Sequence, residues 1–270
     1  MPYLRDRVII LRSEPFREHD RKVVMFGVQH GLMDAVARGA SAKEAKQGGH
    51  VVPFTEAEVL IAKGAAFDKL AVSRTVRSRP GIRRRLGALT FAGAFSDLFE
   101  RLQRPGIVDM ESYALLSEAL DIADALPDEP SAERTRLLYS AAALKLLDRI
   151  GFAPPLSACA SCREGFATDG TSSVSETVMD GPWLLPVEGA FLCPDCYRTV
   201  RRAHPNAEQV PSQTLSLLRF LRREPLMDAL RLTGTAEAFR RASLTLSTLL
   251  QQAPLTRAPH GGETIFAILG

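Results

Sequence analysis

Two cysteine pairs, Cys159-Ala-Ser-Cys162 and Cys193-Pro-Asp-Cys196, constrain this chain more tightly than any other feature. Two residues between cysteines let one tight turn present both thiolates to a single ion, and two such turns complete a tetrahedral four-sulfur set suited to Zn²⁺. The 30 residues from Cys162 to Cys193 exceed the usual spacing. A hairpin from Gly181-Pro-Trp-Leu-Leu185 to Gly189-Ala-Phe-Leu192 would close the gap. Reduced cysteines without metal and a redox dithiol are the competing readings. A four-thiolate site has no open coordination position, which argues against metal catalysis, so the expected role is to fold the segment that carries it. Trp183, the single tryptophan, is expected in the core of that segment.

At 270 residues the chain has room for two or three units. Residues 1–79 read as β structure, with strands expected at Arg7–Arg12, Lys22–Val28, Leu32–Arg38, Thr55–Ala62 and Leu70–Val76. Glu14-Pro15, Gly31, Gly39, Gly48-Gly49 and Gly64 punctuate them. In the fourth strand Thr55, Ala57, Val59 and Ile61 alternate with Glu56 and Glu58, which predicts one buried and one solvated face. Five short strands suit a small closed barrel, either an OB-fold or an SH3-like barrel by pattern alone.

The period turns helical after Arg79-Pro80-Gly81. Phe91, Phe95, Leu98 and Leu102, then Tyr113, Leu116, Leu120 and Ala123, predict two helices within residues 83–126, broken at Pro105-Gly106. Ser131 is an expected N-cap for a third helix with Leu137, Ala141, Leu144 and Leu147 on one side, and Gly151 an expected stop. Helical patterns resume at Ser212–Arg223 and Thr235–Gln252, and the apolar run Thr264–Leu269 is suited to docking. The expected fold class is therefore α+β: a five-stranded barrel over 1–79, then a helical domain over 80–270 with a zinc-binding insert at about 152–205.

Charge is divided unevenly. Residues 1–87 hold 17 basic and 9 acidic side chains (+8), and residues 88–270 hold 17 and 22 (−5). That asymmetry points to a polyanion-binding module on a near-neutral body. Its candidate DNA-binding residues are Arg17, Arg21, Lys22, Arg38, Lys43, Lys46, Arg74, Arg77 and the run Arg83-Arg84-Arg85, with Arg79 among the same basic set. Phe16, Phe26, Phe54 and Phe67 fit a barrel core as readily as a stacking platform, so backbone-dominated, sequence-independent binding is expected.

Catalytic patterns are weak. His19 lies between Glu18 and Asp20 on an expected surface turn, while His30, His50, His204 and His260 have no evident partner in sequence. No Walker-type phosphate loop is present, so no catalytic residues are assigned and the chain reads as a non-enzyme. Arg5, Asp6 and Arg7 interrupt any signal-peptide pattern, and no apolar run approaches the roughly 20 residues of a membrane span, which predicts a cytoplasmic protein.

Several stretches together resemble one family. Val8-Ile-Ile-Leu-Arg-Ser-Glu-Pro-Phe-Arg-Glu-His-Asp20, Gly31-Leu-Met-Asp-Ala-Val-Ala-Arg-Gly39, Pro53-Phe-Thr-Glu56 and Leu144-Lys-Leu-Leu-Asp-Arg-Ile-Gly-Phe-Ala-Pro154 are similar to the RecO family of bacterial recombination mediators. The resemblance implies an N-terminal OB-fold, a helical domain and a zinc-ribbon-like insert. It also implies binding of single- and double-stranded DNA, strand annealing, association with RecR, and help to RecA in displacing single-strand-binding protein during repair in the nucleoid. Arg38 matches the family's basic position before the glycine, and Lys43 and Lys46 its basic loop, although Glu44 makes this loop less basic than expected of the family. A zinc-stabilised adaptor whose barrel and helices bind proteins is the alternative, and a zinc hydrolase or nuclease would need an open metal site or a carboxylate cluster.

Overall fold

The structure is a computed structural model that describes residues 3–40, 51–127, 131–166 and 181–255. Lys43, Lys46, Gly48-Gly49, His50, His260 and the run Thr264–Leu269 lie outside the described residues. Two compact units divide at Pro130 and Ser131.

The first unit opens with β1 (Tyr3–Pro15), β2 (Arg21–Gly27), β3 (Gly31–Ala37), β4 (Glu56–Ala62) and β5 (Lys69–Arg77), within a few residues of the expected strands. They close into a barrel in the order β1-β2-β3-β5-β4. All pairings are antiparallel except the closing contact of β3 with β5, where Val36 lies beside Lys69. That Greek-key order is the OB-fold arrangement. The long first strand serves two neighbours, its N-terminal half pairing with β4 and its C-terminal half with β2. A register shift between Ile10 and Arg12 bends it between them.

Val8-Ile-Ile-Leu11 shows no alternation because both faces of β1 are covered. Val8 and Ile10 join Val23, Met25, Val59 and Ile61 inside the barrel, and helix α2 (Leu86–Leu102) packs against the same strand. Phe26 lies edge-on to Phe99 of α2 at 4.9 Å and near Tyr113 of α3 (Met110–Asp124). A short helix α1 (Pro80–Arg84) leads into this pair. The break at Pro105-Gly106 is as expected, and Asp109 caps α3 by accepting from the Ser112 N–H at 2.9 Å. The same connection approaches the barrel: Gly31, at φ +64°, lies so close to the Ile107 carbonyl that a Cβ would meet it at 2.0 Å.

Two expectations for this unit are corrected. Glu56 is buried rather than solvated, because Arg7 Nε donates to its Oε1 at 2.6 Å and the Tyr113 hydroxyl donates to the same oxygen at 2.9 Å. Burial works to raise the Glu56 carboxyl, yet the bonds from Arg7 and Tyr113 hold it below the ordinary carboxylate range. Its stabilising share is therefore in place at neutral pH and is lost as pH falls through that lowered value. Arg79 is not a surface cation either. It is 2% exposed, at φ +46°, and its guanidinium donates to Asp121 Oδ1 at 2.7 Å, Ser117 Oγ at 2.9 Å and the Phe54 carbonyl at 3.0 Å.

The second unit is built on α4 (Ala132–Arg149), with α6 (Ser212–Arg223), α7 (Leu226–Ala229) and α8 (Ala236–Leu250) packed on it. Ser131 and Thr235 cap α4 and α8 as their positions before the helices suggest, and Gly151 at φ +73° ends the α4 turn. The single apolar stripe expected on α4 is too narrow. Leu138, Tyr139, Ala142, Ala143 and Leu146 are buried as well, since helices surround it on more than one side. Between α4 and α6 lie β6 (Trp183–Leu185), β7 (Ala190–Leu192), α5 (Pro194–Val200) and β8 (Glu208–Gln209). The β6–β7 hairpin was legible; α5, α1 and α7 are too short for periodicity to reveal.

Breaking the Arg79 cluster is the expected route to unfolding the first unit. Arg79→Met should cost about 1 to 3 kcal/mol, because it leaves the Phe54 carbonyl and Ser117 without their donor and Asp121 with Arg77 alone. Arg77→Met, which removes an exposed pair to the same aspartate, should cost under about 1 kcal/mol. Urea denaturation of the two variants measures both, and equal midpoints would contradict the assignment.

Candidate metal centre and nucleic-acid interface

The four cysteines converge from two local turns. Ala158 bridges to Gly165, the Cys159 N–H donates to the Glu164 carbonyl at 2.9 Å, and Arg163 takes a left-handed φ of +63° to return the chain. The second pair opens α5: Cys193 is its N-cap, so the helical turn carries Cys196 back to the same side. The Cys193 N–H donates to Cys159 Sγ at 3.3 Å and joins the turns. All four sulfurs lie within 4.8 Å of one another. The Cys162–Cys193 separation of 3.8 Å equals the edge of about 3.8 Å that a tetrahedron with metal–sulfur bonds of about 2.3 Å requires.

Electrostatics fit the same use. Burial opposes ionisation of Cys159, but the N–H groups of Cys193, Cys162 and Ser161 outweigh it and hold the thiol down to about 6. At Cys162 the Glu164 N–H favours the thiolate, while desolvation and the neighbouring cysteines push it up to about 12. Four sulfurs this close need a cation before all can ionise. Around them Cys159, Leu185 and Leu192 form a small buried core with Phe166, Tyr197, Val200 and Ala207 against it. Trp183, expected in that core, is only half-buried and stacks on Tyr197 at 4.0 Å.

The expected DNA-binding residues fall into two groups. At one end of the barrel, the β1–β2 loop (residues 16–20), the exit of β3 and the β4–β5 loop (residues 63–68) meet. Asp20 Oδ1 accepts from the Gly39 N–H at 2.9 Å, the Asp68 carbonyl accepts from the Val36 N–H at 2.8 Å, and the Phe16 and Phe67 rings lie 5.2 Å apart. Arg17, Arg21, Lys22 and Arg38 belong here. Arg21 Nε donates to Ser13 Oγ at 2.8 Å and Lys22 pairs with Asp34 at 2.9 Å, whereas exposed Arg17 and Arg38 make no ion pair among the described residues.

The second group lies along β5 and α1. Arg77 pairs with Asp121, Arg85 donates to the Asp124 carbonyl at 3.0 Å, and Arg83 donates to the Ser78 carbonyl at 3.1 Å. Arg74 and Arg84 are exposed without ion pairs among the described residues. Two histidines gain partners that sequence did not reveal: His30 Nδ1 lies 3.0 Å from buried Asp6, and His204 Nδ1 lies 3.3 Å from Glu188. The pairing of Phe16 with Phe67 was also missed, and turn residues flanking each ring were its only sequence signal.

Residues 1–79 match the family described as Recombination protein O N terminal, and residues 83–253 that described as Recombination protein O C terminal. The chain belongs to the RecO family. It is 31% identical over 241 residues to the DNA repair protein RecO of Rubrobacter xylanophilus, covering 89% of each chain. The DNA repair protein RecO of Anaeromyxobacter sp. (strain K) is 33% identical over 202 residues, covering 74% of this chain and 72% of the relative. That of Geobacter metallireducens is 28% identical over 223 residues, covering 82% and 83%. RecO membership assigns the chain to DNA recombination and repair, and among the described residues no helix is long and apolar enough to cross a membrane.

The cysteine geometry of this RecO chain predicts that metal and structure are lost together. Cys162→Ser, or a chelator, should strip a bound ion and change the fluorescence of Trp183, whose stacking partner Tyr197 adjoins Cys196. Retention should weaken as pH falls, because protons compete for the sulfurs. Metal content and tryptophan emission along a pH series measure both; an emission spectrum indifferent to metal would remove the structural role.

Proposed function

We propose that this protein is a non-enzymatic recombination mediator that binds single- and double-stranded DNA and anneals complementary strands. With RecR, it would help load RecA onto DNA coated with single-strand-binding protein, in the bacterial cytoplasm and nucleoid. Zn²⁺ is the proposed occupant of the four-cysteine centre, where Cys159, Cys162, Cys193 and Cys196 would hold it as a structural ion. RecO membership supports the repair role.

One observation carries the DNA reading: a barrel of OB order gathers Arg17 and Arg38, two exposed cations without ion pairs among the described residues, at the end where its β1–β2 and β4–β5 loops meet. Those loops, with strands 2 and 3, are where OB-folds take oligonucleotides. Lys43 and Lys46 would extend the same charge, and Arg74 and Arg84 would form a second phosphate-binding stretch, with Arg21, Lys22, Arg77, Arg83 and Arg85 contributing less because each has an internal partner. The mechanism is electrostatic. Cations that neutralise the phosphates of two strands lower their mutual repulsion, so pairing proceeds without nucleotide hydrolysis.

The adaptor reading has its own support in Ile107, Val108 and Met110, exposed apolar residues at the start of α3. Annealing of complementary oligonucleotides without ATP, across a salt series, separates the two. Mediator function predicts salt-sensitive annealing. Charge reversal at Arg38 and Lys43 should weaken binding to all sequences alike and flatten the logarithmic salt dependence by about 0.7 to 0.9 per lost phosphate contact. No DNA binding at low salt would leave the adaptor.

A further inference from the structure

The meeting of the two barrel loops carries more than charge. Phe67 is 46% exposed although it sits in a short, well-fixed loop. Lys63 Nζ pairs with Asp68 Oδ2 at 2.7 Å and the Gly64 N–H donates to Asp68 Oδ1 at 3.2 Å, so both ends of the loop are tied to one carboxylate. Gly64 is needed for this closure, since a Cβ there would meet the Phe67 carbonyl at 2.1 Å. Across the gap, the Phe16 N–H donates to the Asp20 carbonyl at 3.0 Å and closes the β1–β2 loop. The two rings meet edge to face at 70°, and the Arg17 guanidinium lies 5.2 Å from the Phe16 centroid and 5.9 Å from that of Phe67.

We infer that Phe67, buttressed by Phe16 and flanked by Arg17, is a stacking site for an unpaired base of single-stranded DNA. The inference rests on the proposed DNA-binding role and specifies what that barrel end recognises. A lone exposed aromatic ring needs no explanation. This one is held from both loops, lies where OB-folds receive oligonucleotides, and has beside it a cation with no ion pair among the described residues. Fixing the ring in advance removes an ordering cost that a mobile ring would incur on binding. Inside a duplex both faces of a base are covered by its stacked neighbours, so the ring discriminates single strands from duplex, while Arg17 and Arg38 attract the phosphates of either form. Recognition remains independent of sequence because every base has such a face.

The test compares fluorescence anisotropy of the full-length protein with an oligothymidylate and with a duplex of equal length, for wild type, Phe67→Leu and Phe67→Trp. Leucine keeps an apolar contact to Phe16 but has no ring. It should lower single-strand affinity by about 5- to 150-fold, the range that loss of one base–aromatic stack gives, without altering the salt slope or the duplex affinity. Tryptophan should retain single-strand affinity, and its emission should be quenched by oligothymidylate and not by duplex, which gives a direct reading even where the leucine variant folds poorly. Equal losses on both DNA forms, or no loss and no quenching, overturn the stacking site while leaving wild-type DNA binding intact. Failure of the wild type to bind either DNA at low salt overturns the proposed function and this site together.

Discussion

The first unit depends on one buried guanidinium. An arginine cannot lose its proton, so burying Arg79 obliges the fold to supply acceptors around it. Three places answer. Phe54 adopts φ 68°, an unusual conformation for a bulky residue, and its carbonyl accepts from Arg79 Nη1. Ser117 and Asp121 lie four residues apart on α3 and so share a face, from which both accept. Asp124 extends that face, accepting from the Ile82 N–H and, through its carbonyl, from Arg85. One side of α3 thus receives the whole connection from β5 into α1. The arrangement ties strand exit, short helix and long helix into one geometry, and it occupies cations that charge counting alone would assign to DNA.

The division between structural and available charge follows from it. Arg77 pairs with the same Asp121 that α3 presents to Arg79, so its neutralisation is a by-product of the buried cluster, and Arg85 is held by the Asp124 carbonyl one turn further on. Among the described residues no such cluster forms at the opposite end of the barrel. There Asp20 and Asp68 accept chiefly from backbone N–H groups and Lys63, and they fix loops instead of neutralising Arg17 and Arg38. The +8 excess of residues 1–87 is therefore unevenly available, and the barrel end with fixed loops keeps Arg17 and Arg38 exposed and free of ion pairs among the described residues.

What was legible in the sequence was local. Strand spans, the Trp183–Leu192 hairpin, the Ser131 cap and the cysteine turns each depend on residues a few positions apart. What escaped depends on partners distant in the chain. Glu56 reads as the polar side of an alternating strand until Arg7 and Tyr113 arrive from other elements. His30 meets Asp6 because β1 and β2 run side by side, and Phe16 meets Phe67 only through barrel closure. Helix α4 shows the complementary limit: its alanines carry no amphipathic signal, yet their small size lets neighbouring helices approach on several sides. The cysteine module lies between these cases. The convergence of its four cysteines was readable from spacing, but its packed core is three buried residues with partly buried neighbours, too little to fold on apolar burial alone. A cation bound there would contribute folding free energy on the order of 10 kcal/mol, and the turns would need only to deliver sulfurs.

For the proposed annealing role, the balance of forces at the barrel matters more than tight binding. A protein that held single strands through many stacked bases would compete with the duplex it is meant to form. Stacking within DNA contributes about 1.4 kcal/mol per base-pair step, and one base on an aromatic ring about 1 to 3 kcal/mol. A single ring such as Phe67 can therefore orient a strand without outweighing a run of several new base pairs, which take the base back as the duplex extends. Phosphate contacts do not oppose that exchange, because they persist on both forms and leave the pairing edges of the bases uncovered. A barrel with a few accessible cations and an exposed ring where its loops meet is suited to bringing strands together and then yielding them to each other.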